Sequence, residues 1–146
     1  MSSSIPIVVS ARMRSTRCPG KAVALLAGKP LLSHPLERMA SIGGASRVVL
    51  ATSIEPENDV LAMLAEGLGV GVYRGDEDDV LGRYLEVARL RNADHLVRVT
   101  GDNPLTDLPL IDRLCRRHLE VGADYTYVPG DALLMGILSE VISTRA

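Results

Sequence analysis

Ile5-Pro6-Ile7-Val8-Val9-Ser10 runs directly into Ala11-Arg12-Met13-Arg14-Ser15-Thr16-Arg17-Cys18-Pro19-Gly20-Lys21, and this junction decides the fold. The first run is short, apolar and rich in β-branched residues, the pattern of a buried strand. The second carries four cations, two hydroxyls, a Pro-Gly turn and no acid. A loop of that make-up after a buried strand suits a polyanion, with fixed positive charge, hydrogen-bond donors and a backbone able to bend around oxygens.

Outward from this junction, strand-like and helical patterns alternate. Arg47 to Thr52 and Asp94 to Thr100 repeat the apolar strand pattern, Val70 to Tyr73 is a shorter strand, and Asp124 to Val128 and Ile137 to Ile142 are weaker ones. Helical spacing runs over Leu31 to Ser41 (Leu32, Leu36, Met39, Ala40) and over Pro56 to Leu68 (Val60, Leu61, Leu64, Leu68). It recurs over Asp79 to Arg91 (Val80, Leu81, Tyr84, Val87, Ala88, Leu90) and over Asp107 to Val121 (Leu110, Ile111, Leu114, Cys115, Leu119). Pro56 suits a first helical turn and Gly122 a helix end. Near-continuous apolar strands between helices predict an α/β fold, a mostly parallel sheet with helices on both faces. Ligands of such sheets bind beyond the carboxyl ends of the strands. The loops after Ser10, Thr52, Tyr73 and Thr100 are therefore the ones to inspect.

Composition agrees with one ordered domain. The chain has 146 residues, 47% hydrophobic and 23% charged, with no Phe and no Trp, so the core is aliphatic. A net charge of -2, from 16 basic and 18 acidic residues, argues against a nucleic-acid-binding face. No apolar run has the length of a membrane span. No signal-peptide pattern opens the chain, and Cys18 and Cys115 do not form a disulfide framework, so a reducing cytoplasm is the expected setting. Only Lys21 and Lys29 among the basic residues are lysines. A compact ammonium at position 21, in a chain that otherwise uses arginine, suggests that the shape of the cation matters there. The loop lacks both the G-x-x-x-x-G-K-[ST] and the G-x-G-x-x-G patterns, which disfavours P-loop ATPases and Rossmann dehydrogenases.

The stretch ARMRSTRCPGK (11–21), then GKPLL (28–32), ATS (51–53), YRGDEDDVLGRY (73–84) and VRVTGDNPLTD (97–107) resembles, in order, the cytidylyltransferases that activate acidic sugars. The likeness is to the branch containing the spore-coat polysaccharide biosynthesis protein F family, with CMP-Kdo and CMP-sialic acid synthetases as more distant relatives. The resemblance implies a Rossmann-like nucleotide-diphospho-sugar transferase fold, here as one nucleotidyltransferase domain over 1–146 whose C-terminal part is cut short. It also implies CTP as donor, a sugar acceptor, Mg²⁺ as cofactor and a homodimer. The likeness covers nearly all of this chain but only the front portion of a family member. The remaining portion supplies much of the acceptor pocket in relatives, and Gly136 to Ser143 resembles its start. The chain departs from the family at Arg14, where a small residue is commoner, and at Cys18, where an aliphatic one is.

By that resemblance Arg12, Ser15, Arg17 and Lys21 hold the phosphates, Ala11 and Thr16 belong with them to the nucleotide-binding set, and Asp102 holds the metal. Arg12, Lys21 and Asp102 are the catalytic candidates. Asp102 sits in Thr100-Gly101-Asp102-Asn103-Pro104, which is equally good turn chemistry. Ala51, Thr52 and Ser53 lie against the base in relatives, and are equally ordinary strand-end residues. Arg74, which opens an acidic loop near the nucleotide or the acceptor, is counted among the nucleotide-binding residues. Asp76, Glu77, Asp78 and Asp79 are read first as helix-capping acids. Arg98, in an apolar strand, needs a partner, and Asp102 or an acid of the 76–79 loop is expected to supply one. His34, His95 and His118 show no metal spacing and are read as structural, Met39 and Met63 as core fillers, and Cys18 as a small apolar filler.

Overall fold

β-branched and aliphatic residues at 7–9, 48–50 and 96, 97 and 99 favour extended, buried backbone, and each run is a strand. The computed structural model describes residues 5–129, 137 and 139–145. In chain order these are β1 (Ile7–Ser10), a small hairpin of β2 (Leu25–Leu26) and β3 (Lys29–Pro30), α1 (Ser33–Gly43) and β4 (Val48–Ser53). Then follow α2 (Asp59–Gly67), β5 (Gly71–Gly75), α3 (Val80–Leu90), β6 (His95–Thr100), α4 (Leu108–Val121), β7 (Tyr125–Tyr127) and β8 (Glu140–Ser143).

The main sheet has the order β5-β4-β1-β6-β8-β7. β5, β4, β1 and β6 are parallel, whereas β8 runs antiparallel to β6 and β7 antiparallel to β8. The chain steps outward from β1 to β4 and β5, then returns to the other side of β1 with β6. That reversal leaves a crevice at the carboxyl ends of β1 and β6, where such sheets bind ligands.

The period of two along each strand separates two cores. Ile7, Val9, Val48, Leu50, Val97 and Val99 pack with Leu36 and Met39 of α1, Leu61 and Ala65 of α2, and Ile111 and Leu114 of α4. Val8, Val49, Ala51 and Leu96 pack on the opposite face with Tyr84, Val87 and Ala88 of α3. Each fully buried aliphatic side chain contributes about 1.5–3 kcal/mol.

Several expected core positions fall outside these clusters. A turn of 3-10 helix (Pro56–Asn58) precedes α2 and rotates its buried face onto Leu61, Ala62 and Ala65. Val60 and Met63 are exposed in consequence, and Met63 is not a core filler. Leu81 and Leu90 of α3 and Leu119 of α4 also face outward. The strand expected over 137–142 is β8, from Glu140 to Ser143; Gly136 and Leu138 lie outside the described residues. No helix among the described residues is long and apolar enough to cross a membrane.

Candidate functional site

The loop after β1 arches over the crevice and is held at a few points. The Ala11 N–H donates to the Ala51 carbonyl (3.3 Å) where the loop leaves the sheet. Gly20, in the left-handed conformation (φ 70°), donates to the Met13 carbonyl (3.0 Å) and closes the arch. The Ser15 hydroxyl accepts from the Cys18 N–H (3.3 Å). Cys18 is exposed rather than a filler.

The loop after β6 forms the opposite wall. Gly101 donates to the Ser10 carbonyl (2.8 Å), and Asn103 to that of Thr100 (3.1 Å), making a tight turn. A Cβ on Gly101 would lie 2.8 Å from the Ala11 Cβ, 2.9 Å from Leu32 Cδ1 and 3.2 Å from the Ser10 carbonyl oxygen. The glycine therefore lets the two loops meet, and that junction seats Asp102 opposite Lys21. The Lys21 ammonium donates to the Asp102 carboxylate across the crevice. Partial burial raises the Asp102 pKa, but hydrogen bonds from Lys21 and Thr100 outweigh it and hold the carboxyl below its ordinary range.

Two adjoining hollows flank the arch. One, of about 250 Å³, is bounded by Arg12, Ser15, Thr16, Arg17, Lys21 and the backbone of Ala11, facing Asp102, Thr100 and Gly101. The second, of about 600 Å³, lies between Arg12, Arg14, Ser15 and Thr16 on one side and Ile54, Glu55 and the acidic loop 76–78 on the other. Candidate phosphate-loop residues thus line one cavity with Asp102. Arg17 is exposed and forms no ion pair among the described residues, whereas Arg12 lies 3.4 Å from the Glu77 carboxylate.

Ala51, Thr52 and Ser53 are fully buried and line neither hollow. The residues that follow them, Ile54 and Glu55, take that place. Arg74 also lies behind the wall. Its Nε donates to the Ser53 carbonyl (2.9 Å), and its Nη2 donates to the Glu55 carbonyl (3.0 Å) and reaches Asp59 Oδ1 (2.7 Å), bracing the 53–59 turn.

The acidic loop is built as a cap. Asp79 Oδ1 accepts from the Gly82 N–H (2.7 Å) at the start of α3. Asp76 accepts from the Asp79 and Asp78 N–H groups, which lower its pKa. Arg83, almost fully buried, donates to the Asp76 carbonyl and to that of Glu77 (3.0 Å). Sequence reading missed Arg83 and Asn58, which with Glu77, read there only as a capping acid, tie this wall together. A basic residue within an apolar helical face was the available signal for Arg83.

Arg98 has a partner other than the two expected. Its Nη1 meets Glu140 Oε2 at 2.6 Å, because the antiparallel register places Arg98 opposite Glu140. The histidines bond within the fold: His118, fully buried, bonds Thr126 Oγ1 (2.8 Å) and His95 Nδ1 (3.0 Å), and His34 Nε2 lies 2.7 Å from the Leu26 carbonyl oxygen. Among the described residues no three His, Cys, Asp or Glu side chains cluster as a metal cage.

A reversal point in a parallel sheet, a cation-rich arch and one facing carboxylate make an α/β domain with a crevice suited to an anionic ligand, and its fold is that of the nucleotidyltransferases. The cytidylyltransferase family model matches residues 6–142, and the chain belongs to that family. It is 34% identical over 145 residues to the spore coat polysaccharide biosynthesis protein SpsF of Bacillus subtilis (strain 168), covering 97% of this chain and 60% of that protein. It is 40% identical over 110 residues to the 3-deoxy-manno-octulosonate cytidylyltransferase of Geobacter sulfurreducens, covering 74% of this chain and 42% of that one. The structure of a cytidylyltransferase from Leptospira borgpetersenii superposes with a TM-score of 0.90 at 30% identity, over 97% of this chain and 60% of that one. The chain thus spans about 60% or less of the length of these relatives.

Proposed function

We propose that this chain binds CTP with its triphosphate under the 11–21 arch. In the complete reaction, CMP would pass to a hydroxyl of an acidic or modified sugar, in surface polysaccharide biosynthesis. The observation that carries the reading is the Lys21–Asp102 pair, closing a crevice whose other wall is Arg12, Ser15, Thr16 and Arg17. Family membership supports cytidine as the base, and the relatives' names support the sugar.

The sugar oxygen attacks the α-phosphorus, the bond from that phosphorus to the bridging oxygen breaks, and pyrophosphate leaves as the hydroxyl proton passes to solvent. The work of the protein is positioning and charge stabilisation. Arg12 and Arg17 offer planar forks to phosphate oxygens and Lys21 a compact charge. The Ser15 and Thr16 hydroxyls and the arch backbone complete the donor set. Mg²⁺ suits the donors present, since it takes one or two carboxylates with phosphates and water. Asp102 would hold it, and a metal there neutralises charge developing on the phosphates.

The span of about 60% of a relative favours a second reading, a nucleotide-binding portion that needs further chain for turnover. Calorimetric titration with CTP, UTP, ATP and GTP in Mg²⁺ tests the shared claim, and selective CTP binding is expected. Pyrophosphate release with added acidic sugars separates the readings. Binding without release selects the second, and no nucleotide binding rejects both.

A further inference from the structure

We propose that Asn58 is the positioning residue of the 11–21 arch, a buried carboxamide that sets the loop's shape and through it the directions of Arg12 and Arg14. The inference rests on the triphosphate reading above for its purpose, and on the following geometry for its substance. Asn58 is completely buried in the turn before α2, 45 positions from the loop it holds. Its Oδ1 accepts from the Met13 N–H at 2.8 Å. Its Nδ2 donates to Ser53 Oγ at 2.7 Å and lies 3.5 Å from Glu77 Oε2. One side chain thus ties the arch, the end of β4 and the acidic loop together.

The chemistry settles which way the amide faces. The Met13 N–H can only donate and the Glu77 carboxylate can only accept, so oxygen points to the first and nitrogen to the second. Aspartate would retain the Met13 contact but set a second carboxylate beside Glu77. Leucine would leave the partly buried Met13 N–H without its acceptor, which is costly.

Met13 is the pinch of the arch. Asn58 holds its N–H, Gly20 holds its carbonyl, and its side chain packs on the core. With Met13 turned inward, Arg12 and Arg14 flank it and both line the two hollows. Arg12 is then received by Glu77, the same acid that faces Asn58, and Arg14 by Glu57 at 2.5 Å, the residue before Asn58. The turn that carries Asn58 thus supplies the acid that meets Arg14, and the Asn58 amide touches the acid that meets Arg12.

The test uses the whole chain and two readouts, amide hydrogen exchange at Met13 and CTP affinity in Mg²⁺. In Asn58→Leu, exchange at Met13 should accelerate by about tenfold or more and CTP affinity fall by about tenfold, the loss of one charge-assisted or buried hydrogen bond. Exchange at Val9 and Leu50 should be unchanged. Asn58→Asp, close in shape, should weaken CTP binding while leaving Met13 protected. Combining it with Glu77→Gln reverses donor and acceptor across the same contact and should restore affinity to within about threefold of the parent. If Asn58→Leu does not fold, the aspartate variant and its rescue decide the matter. Unchanged Met13 exchange in the leucine variant, unchanged CTP affinity despite a released Met13, or failed rescue would each overturn the proposal. A parent chain that binds no CTP would reject the triphosphate reading. Met13 exchange would still show whether Asn58 shapes the arch.

Discussion

The two halves of the sheet are finished differently. From β5 to β6 the strands are parallel and their inward residues are covered by helices; Leu50 and Val9 are wholly buried. From β6 to β7 they are antiparallel, and α3 leaves a largely apolar hollow of about 400 Å³ among Leu81, Leu85, Leu96 and Ile142, with Tyr84 and the Arg98–Glu140 pair alongside. The Tyr84 hydroxyl is buried there beside Arg98 and Ser10, and burial raises its pKa. The parallel half carries the arch, so the candidate chemistry sits on the side of the sheet whose strands are most fully buried.

The sharpest way to break this contrast is to cut into the buried, parallel half. Leu50→Ala should cost about 2–5 kcal/mol, measured by urea unfolding. Gly101→Ala comes next. The added methyl meets Ala11 and Leu32 below 3.0 Å, so it should cost about 1–3 kcal/mol and also weaken CTP binding by separating the crevice walls. Both effects are expected together; lost affinity without lost stability would mean that the glycine serves the ligand directly.

A smaller effect belongs to the antiparallel half. Burial, with the neighbouring His95, lowers the His118 pKa below its usual 6.5. The unfolded chain therefore takes up a proton that the folded one refuses. Stability is full above the unfolded pKa of about 6.5 and declines as pH falls from there towards the lower folded pKa. His118→Gln should flatten that slope in denaturation series between about pH 7 and 5. The smallest effect is expected for Leu81→Ala, 69% exposed on the rim of the hollow, which should stay within about 0.5 kcal/mol. A larger loss would show that the hollow is covered in solution.

Legibility in the sequence followed the range of the forces involved. Strands and helices with strong periodicity were readable because their signal is local, and the arch because its charges are adjacent in sequence. The β2–β3 hairpin was not, since its turn places Ala27 at φ 50° before Gly28, and alanine gives no turn signal. Asn58 drew no notice within the helical run from Pro56, because its partner, the Met13 N–H, is distant in sequence. Arg98 announced the need for a partner, but Glu140 depended on an antiparallel register that no pattern specified. The Ala51–Ser53 segment showed how small residues at a strand end can signal burial as readily as access.

Paired calorimetric titrations of CTP with Mg²⁺ into the parent chain and Lys21→Ala test the central claim most directly. The ammonium that meets Asp102 is expected to meet phosphate oxygens, so the variant should bind CTP about tenfold or more weakly, with its melting temperature nearly unchanged. Equal affinity in the two proteins would contradict a triphosphate seated under the arch.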